Sequence, residues 1–361
     1  MLAAIWLALA LRLAVCRRRA PTLPPPLADF PPTTILLPVR DEEENLPVCA
    51  ALLLAQRGGP DLRIIDDGSS DRTPLLLAEI ARREIRVTPL TARPLAAGWG
   101  GKLNALATGF EGVTTDWILL TDADTRHRED LLACAHAAVA EHRLDALSLS
   151  GRQEAFGAGE SLLTPAVYAL LDLMLGDWRP YARGAGKLPT ANGQFFLLRS
   201  DALRAIGGFA AIAREALDDV ALARALAAGG FKVGFRRAED AFAVRMYRGF
   251  GATLRGWRRN LALFVAAQPL TSALAIALPV ATLTALILAL RFRDTAAFVI
   301  CWLGGVVASA SARRSSRNNP FTGAFFPFDV LLLASTLALA TVDRVRGRTT
   351  RWRGRKVEIP R

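Results

Sequence analysis

From Thr33 to Leu120 the chain repeats one pattern: a short apolar run, a polar and mostly acidic island, then a helix-length segment. The runs at Thr33 to Val39, Leu62 to Ile65, about Ile85 to Pro89 and Trp117 to Leu120 read as strands. Helices are expected over about Leu46 to Ala55, from Thr73 to about Arg83 and from Gly101 to Gly109. Strands alternating with helices of this length build βαβ units and a mostly parallel sheet, which makes the fold class α/β. Open α/β sheets bind ligands beyond the carboxyl ends of their strands, and the polar islands fall there each time.

The island after Trp117-Ile118-Leu119-Leu120 carries Asp122 and Asp124. If strand geometry persists, the two carboxylates share a face and repel unless a cation lies between them. A hard ion, Mg²⁺ or Mn²⁺, takes such oxygens together with phosphate oxygens, which makes this a candidate metal–diphosphate site. The competing reading is a polar turn whose aspartates cap the next helix. Asp66-Asp67-Gly68-Ser69-Ser70-Asp71 is either a nucleoside clamp, with carboxylates accepting from base N–H or ribose hydroxyls, or a turn built from turn-forming residues. Gly98 to Lys102 is not a P-loop, because Ala96 stands where the first Gly belongs and Leu103 replaces the Ser/Thr. Further on, an island from Pro189 through Gln194 leads into a strand at Phe195 to Arg199, with a helix starting near Ser200-Asp201. Asp218-Asp219 opens an Ala/Leu-rich helix, where acidic residues either complement the helix dipole or supply a general base. His127, His136 and His142 read as surface or structural residues.

The 361 residues suffice for one sizeable domain and additional segments. The chain is 52% hydrophobic, with mean hydropathy +0.26, and its apolar runs gather at the two ends. Net charge is +12, nearly all of it arginine; only Lys102, Lys187, Lys232 and Lys356 are lysine. No nucleic-acid recognition motif accompanies that charge, so anionic headgroups and sugar-nucleotide phosphates are the expected partners, not nucleic acid. Cys16, Cys49, Cys134 and Cys301 are isolated, which argues against a zinc site or a disulfide scaffold and fits a reducing compartment.

Residues 2–15 are apolar apart from Arg12 and are followed at once by Arg17-Arg18-Arg19. Charge after the apolar run predicts an uncleaved anchor with the next domain cytoplasmic, although the run is short for a span and a membrane-dipping helix is the alternative. Residues 21–32 form a proline-rich linker. Leu162 to Leu175, flanked by Trp178 and Tyr181, reads as a core helix or one lying on the membrane surface. In the tail, 270–290, 295–312 and 325–343 are apolar; the first and last approach the ~20 residues of a span and the middle one is borderline, so two to three spans are expected. If all three span, the basic clusters at Arg313-Arg314 and from Arg344 to Lys356 cannot both be cytoplasmic, so the charge rule and the segment count conflict; a re-entrant segment is the alternative, and the tail topology stays open.

Five islands together resemble the family 2 glycosyltransferases of the GT-A fold over about residues 33–260. They are Pro38-Val39-Arg40-Asp41-Glu42-Glu43, Asp66 through Thr73, Gly101-Lys102-Leu103-Asn104-Ala105, Thr121-Asp122-Ala123-Asp124 and Leu217-Asp218-Asp219-Val220-Ala221-Leu222. The resemblance implies that Asp41, Asp67 and Lys102, with Asp66 contributing, hold the nucleotide of a nucleotide-sugar donor, expected to be a UDP-sugar. It implies that Asp122 contacts the sugar or ribose side, that Asp124 binds Mg²⁺ or Mn²⁺, and that Asp219 is the catalytic base. The family usually shows Glu-Asp at the last position, so Asp218 stays beside Asp219 as a catalytic candidate.

Processive members carry Gln-x-x-Arg-Trp; here Leu254-Arg255-Gly256-Trp257-Arg258-Arg259 has the Trp first and no Gln. That departure weakens a polysaccharide-synthase reading; Trp257, Arg258 and Arg259, with Gln194, stay candidates for the acceptor or diphosphate region, the alternative for the helix being a basic face at the lipid headgroups. The ending Arg351-Trp352-Arg353-Gly354-Arg355 resembles that of glycosyltransferases associated with carotenoid and hopanoid lipids, implying a lipid acceptor. The expected organisation is an anchor at 1–16, a basic linker at 17–32, a catalytic domain at 33–260, a transmembrane region at 261–343 and a basic tail at 344–361. A processive polysaccharide synthase and a catalytically silent nucleotide-binding scaffold are the alternatives to an inverting, metal-dependent lipid glycosyltransferase.

Overall fold

The apolar runs form strands of a seven-stranded sheet. The computed structural model describes residues 1–20, 22–175, 191–215, 217–347, 349–352 and 355–358; Trp178, Tyr181 and the Pro189-Thr190 start of the second-half island lie outside them. The chain divides into two units, a sheet unit (Ala20–Arg152 and Trp178–Val244) and a helical unit (Met1–Arg19, Gln153–Asp177 and Arg245–Arg361).

After helix α1 (Leu2–Arg19), which belongs to the helical unit, come β1 (Thr33–Val39), α2 (Leu46–Leu54), β2 (Asp61–Asp66), α3 (Thr73–Arg83) and β3 (Val87–Thr91). Helix α4 (Gly101–Phe110), β4 (Trp117–Thr121), β5 (Thr125–His127), α5 (Leu131–His142), β6 (Ala146–Ser150) and the two-residue β7 (Arg152–Gln153) follow. The sheet unit resumes with β8 (Phe195–Arg199), α7 (Ser200–Ala205), α8 (Asp218–Ala228), β9 (Val233–Arg237) and β10 (Phe242–Val244). The third strand begins later than the sequence suggests: Ile85 is almost wholly exposed, and Val87 is the first residue to face the core.

The strand order is β3-β2-β1-β4-β8-β6-β9. Strands β1 to β4 are mutually parallel, whereas β8 runs antiparallel between β4 and β6. Between β1 and β4 the order reverses direction, the switch point at which such sheets open a crevice. Because β8 is antiparallel, its amino end lies at the carboxyl rim of β4, where Thr121 pairs with Phe195. Leu36, Ile65, Ile118, Leu120, Phe196 and Leu198 face one core with Leu103 and Leu106 of α4 and Leu222 and Leu226 of α8. Helix α4 is drawn tightly onto the sheet: a Cβ at Gly109 would lie 2.6 Å from Ile65. Arg63 of β2 donates to the carbonyls of Gly109, Glu111 and Gly112, capping its last turn.

His127 and His136 are buried core residues. His136 stacks on Phe30, meets Trp117 edge-on and bonds Thr33 Oγ1 at 2.9 Å. Burial pushes it down to about 4; burial, with Arg126, pushes His127 down to about 3.

In the helical unit, α6 (Ala158–Leu175) and α9 (Phe250–Ala267) pack with α12 (Phe328–Val345), so both cluster with the tail helices. Between α9 and α12 stand α10 (Pro269–Arg291) and α11 (Thr295–Ser315); β11 (Thr349–Trp352) and β12 (Arg355–Glu358) close the chain as an antiparallel pair. Among the described residues, Pro269–Arg291 and Thr295–Arg314 are the two helices long and apolar enough to cross a membrane by length and composition. The borderline middle stretch is thus among them, and the last one, 325–343, is not. Its helix α12 is shorter and carries buried Asp329 and Asp343.

Candidate active site

Strand β4 ends at Thr121, so Asp122 and Asp124 do not alternate along a strand as the sequence suggested. They sit in a turn that leads into β5, held by Thr125 Oγ1 donating to the Asp122 carbonyl at 2.7 Å. Neither caps a helix, since the next helix is α5. The Asp124 Oδ1 atom is buried in that turn.

The first turn of α4 brings Lys102 to this corner. Its ammonium lies 2.7 Å from Asp122 Oδ1 and 3.7 Å from Asp218 Oδ2. Burial would pull the lysine down, but Asp122 and Asp218 hold it above its ordinary value, so it stays charged. The amino end of α4 is fixed by Gly100 N–H donating to the Ala213 carbonyl at 3.2 Å and by Asn104 Nδ2 donating to the Arg93 carbonyl at 2.7 Å.

Asp219 begins α8 beside it. Its Oδ2 accepts from Gly193 N–H at 2.9 Å and its Oδ1 from Val220 N–H at 2.8 Å. Leu103, Leu106, Leu120, Phe196 and Leu222 line the small pocket that Lys102, Asp218 and Asp219 overhang. That apolar floor, with the like charge of Asp218, pushes the Asp219 carboxyl up to about 6, although Lys102 and the two N–H donors pull the other way. Gly193 fits closely here: a Cβ there would stand 3.2 Å from Lys102 Nζ, which would have to give by a few tenths of an ångström, and 3.4 Å from Asp219 Cβ.

The segment delivering Gly193 is itself locked. Asn192 Oδ1 accepts from Gln194 N–H at 3.1 Å, and Asn192 Nδ2 donates to Gln194 Oε1 at 2.9 Å. Asn192 N–H donates to Ser148 Oγ at 2.7 Å, and Thr121 Oγ1 donates to the Gln194 carbonyl at 2.8 Å. Gln194 is thus buried in scaffolding. Asn192, Gly193 and Ser148 are the positions that sequence reasoning did not single out. The Asn-Gly pair was visible as polar punctuation before a strand, but nothing in the sequence signalled Ser148.

Across the switch point, the loops after β1 and β2 are laced together. Asp41, with φ 52°, accepts at Oδ1 from Ser70 N–H and Oγ at 2.7 and 3.1 Å. Asp66 Oδ1 accepts from Ser69 N–H at 3.0 Å, and Ser69 Oγ accepts from Asp41 N–H at 3.0 Å. Asp71 accepts from the N–H groups of Glu43 and Thr73, which holds its carboxyl below the usual range even though burial acts against this. Asp67 is buried, and Arg40 donates to its carbonyl at 2.8 Å. Asp41 and Asp66 therefore each spend an oxygen on the rim itself, so the turn reading of this island holds as well.

Trp257, Arg258 and Arg259 belong to the helical unit. Trp257 is buried against Tyr168 and Tyr247 and donates to Thr164 Oγ1 at 3.2 Å. Arg258 makes a two-pronged bond to buried Asp343 at 2.5 and 2.6 Å, and Arg259 donates to Asn260 Oδ1 at 3.3 Å. The Trp257–Arg258 pair is thus a packing and ion-pair element of α9.

The family model for glycosyl transferase family 2 matches residues 34–220, just over half the chain. The chain belongs to this family. The beta-monoglucosyldiacylglycerol synthase of Trichormus variabilis is 30% identical over 185 residues, which cover 50% of this chain and 38% of that protein. The undecaprenyl-phosphate 4-deoxy-4-formamido-L-arabinose transferase of Pectobacterium carotovorum is 34% identical over 103 residues, covering 27% of this chain and 31% of that protein. The chain therefore spans well under half the length of these curated relatives. Among solved structures, the mannosyltransferase PcManGT of Pyrobaculum calidifontis, in complex with GDP-Man and Mn²⁺, superposes with TM-score 0.59 at 18% identity, covering 96% of this chain and 99% of that one. That likeness makes the sheet unit a GT-A fold.

Proposed function

We propose that this chain transfers a sugar from a nucleotide-diphosphate donor to a lipid acceptor at a membrane. One observation carries the chemistry: a carboxylate, Asp219, stands on an apolar floor with its pKa near 6, tied to a backbone N–H and next to a lysine clasp. A general base works best when its pKa lies close to the operating pH. The lipid acceptor is supported by the two relatives, named for a diacylglycerol glycolipid and for undecaprenyl phosphate, and by the two membrane-length helices.

The donor lies across the switch point, its nucleoside against the laced loops of Asp41, Asp66 and Asp67 and its diphosphate toward Asp122, Asp124 and Lys102. Asp219 removes the proton of the acceptor hydroxyl. The new oxygen–carbon bond forms at the anomeric centre as the bond to the diphosphate oxygen breaks on the opposite face, so the configuration inverts. Lys102 holds Asp122 and Asp218 in place and lends its charge to the leaving side.

Among the described residues no group of three or more His, Cys, Asp or Glu side chains could hold a metal ion unaided. One or two carboxylates with donor phosphates are what Mg²⁺ or Mn²⁺ commonly uses, so the turn of Asp122 and Asp124 fits, with Asp124 as the main protein ligand. The ion would neutralise charge developing on the departing diphosphate. Arg17-Arg18-Arg19 after the first apolar helix favours a cytoplasmic face for the sheet unit of an inner-membrane protein.

The test uses membranes containing the full chain, a panel of labelled nucleotide sugars and Mg²⁺ or Mn²⁺, with the Asp219→Asn protein in parallel. Label entering the organic phase with wild type alone is expected. Label only in insoluble polymer would move the assignment to a polysaccharide synthase. Equal transfer by both proteins would remove Asp219 as the base.

A further inference from the structure

We infer that the third apolar stretch, from Phe321 into α12, dips into the bilayer and returns on the side it entered. It deepens the membrane reading above and is independent of the sugar chemistry. After α11 ends at Ser315, the chain doubles back along that helix. A Cβ at Gly323 would lie 2.7 Å from the Ala310 backbone nitrogen, and one at Gly305 would lie 2.1 Å from the Phe326 ring. Trp302 Nε1 donates to the Phe326 carbonyl at 3.1 Å. At 1.5 Å per helical residue, Phe326 sits about 14–18 Å below the exposed Arg314, halfway through a hydrocarbon core of ~30 Å. Phe321, Phe325 and Phe328, in the same turn, are 86%, 57% and 66% exposed, as side chains facing lipid would be.

Irregular backbone at that depth survives only if its polar groups are satisfied within the protein, and the turn has internal partners of this kind. Asn319 Oδ1 accepts from Phe321 N–H at 3.0 Å, Thr322 Oγ1 donates to the Asn319 carbonyl at 2.7 Å, and Phe326 N–H donates to the Gly323 carbonyl at 3.0 Å. The chain then climbs back. Asp329 pairs with Arg313 at 2.8 Å, both fully buried, and Ser309 donates to the same carboxylate. Helix α12 continues beside α9 and ends where Asp343 meets Arg258. Helix α1 reaches a similar depth: Ala3 lies against Gly304, Leu13 packs with Ala312, and Trp6 meets the Phe326 ring edge-on. The basic ends of α1, α11 and α12 therefore face one compartment, with the turn at Phe292 opposite, and the conflict between the charge rule and the segment count disappears.

Single cysteines at Phe292, Arg317 and Val345, all exposed, test this in the full chain. The native Cys16, Cys49, Cys134 and Cys301 are buried, so wild type is the blank. Membranes are first washed with carbonate, then right-side-out and inverted vesicles are treated with a membrane-impermeant maleimide. Arg317→Cys and Val345→Cys should label from one side, and Phe292→Cys from the other. Arg317→Cys and Val345→Cys labelling from opposite sides would mean α12 crosses and would overturn re-entry, as would labelling of all three from one side. Release of the chain by carbonate would overturn the membrane reading itself and leave sugar transfer untouched.

Discussion

The Asp219→Asn substitution changes the charge of the proposed base while keeping its size. Asn can still accept from Gly193 N–H or from Val220 N–H, but not from both, because its second polar atom is a donor. General-base assistance is typically worth ~10²–10⁴-fold, or about 3–5 kcal/mol of barrier. We expect kcat to fall by that factor with donor affinity within a few-fold of wild type, since Lys102 and Asp122 are left in place. The pH profile is the sharper readout. With Asp219 at about 6, wild-type kcat/KM should be flat above pH ~7 and fall tenfold per unit below pH ~6, because only the carboxylate accepts a proton. In the Asn variant the residual rate should lose that acid limb. Initial rates of label transfer to lipid, from pH 5 to 8 at both saturating and limiting acceptor, supply kcat and kcat/KM. An acid limb that persists in Asp219→Asn, or Asp218→Asn losing activity while Asp219→Asn keeps it, would refute the assignment.

Lys102→Met leaves Asp122 and Asp218 facing each other without their shared cation, so donor affinity and kcat should both fall, by at least tenfold in kcat/KM; a near-wild-type value would show that the clasp is ornamental. Gly193→Ala places a methyl group 3.2 Å from Lys102 Nζ, so kcat should drop while thermal stability changes by under about 1 kcal/mol, read from parallel melts and rates. Asp124→Ala should abolish the divalent-cation dependence of donor binding, and equal donor affinity in wild type and variant, with and without chelator, would remove it as a metal ligand. His127 and His136 are held neutral, so below pH ~6.5 the unfolded chain binds protons that the folded one refuses. Stability is thus full above that pH and falls by about 1.4 kcal/mol per unit for each histidine, continuing toward about 3 and 4. Asp219, whose pKa is raised, opposes this between about 6 and 4, but one carboxylate does not offset two imidazoles. Melts of detergent-solubilised protein should show the decline, and His136→Asn should flatten it.

What the sequence made legible followed from periodicity and punctuation. Buried parallel strands are continuous apolar runs, and their ends must be polar wherever a ligand is bound, so β1, β2, β4 and the islands beyond them could be read from one dimension. What stayed hidden was set by pairings across long separations. Nothing near Asp219 announces that Gly193, just before the antiparallel β8, will hand it an N–H, or that Ser148 will hold Asn192 in place; both depend on β8 threading between β4 and β6. Long-range pairings also shape the tail. Hydropathy weighs the stretch 325–343 by composition, and it is apolar enough to suggest a span. The structure adds that Asp329 pairs with Arg313 and Asp343 with Arg258, across 16 and 85 residues, which no hydropathy window sees. A buried carboxylate whose partner is supplied by a neighbouring helix no longer needs water, and it commits its own helix to that neighbour. Trp257 and Arg258 show the converse. An aromatic residue beside a cation resembles a ligand clamp in sequence, and the structure shows what it could not: Trp257 bonded to Thr164 and Arg258 paired with Asp343 within the helical unit.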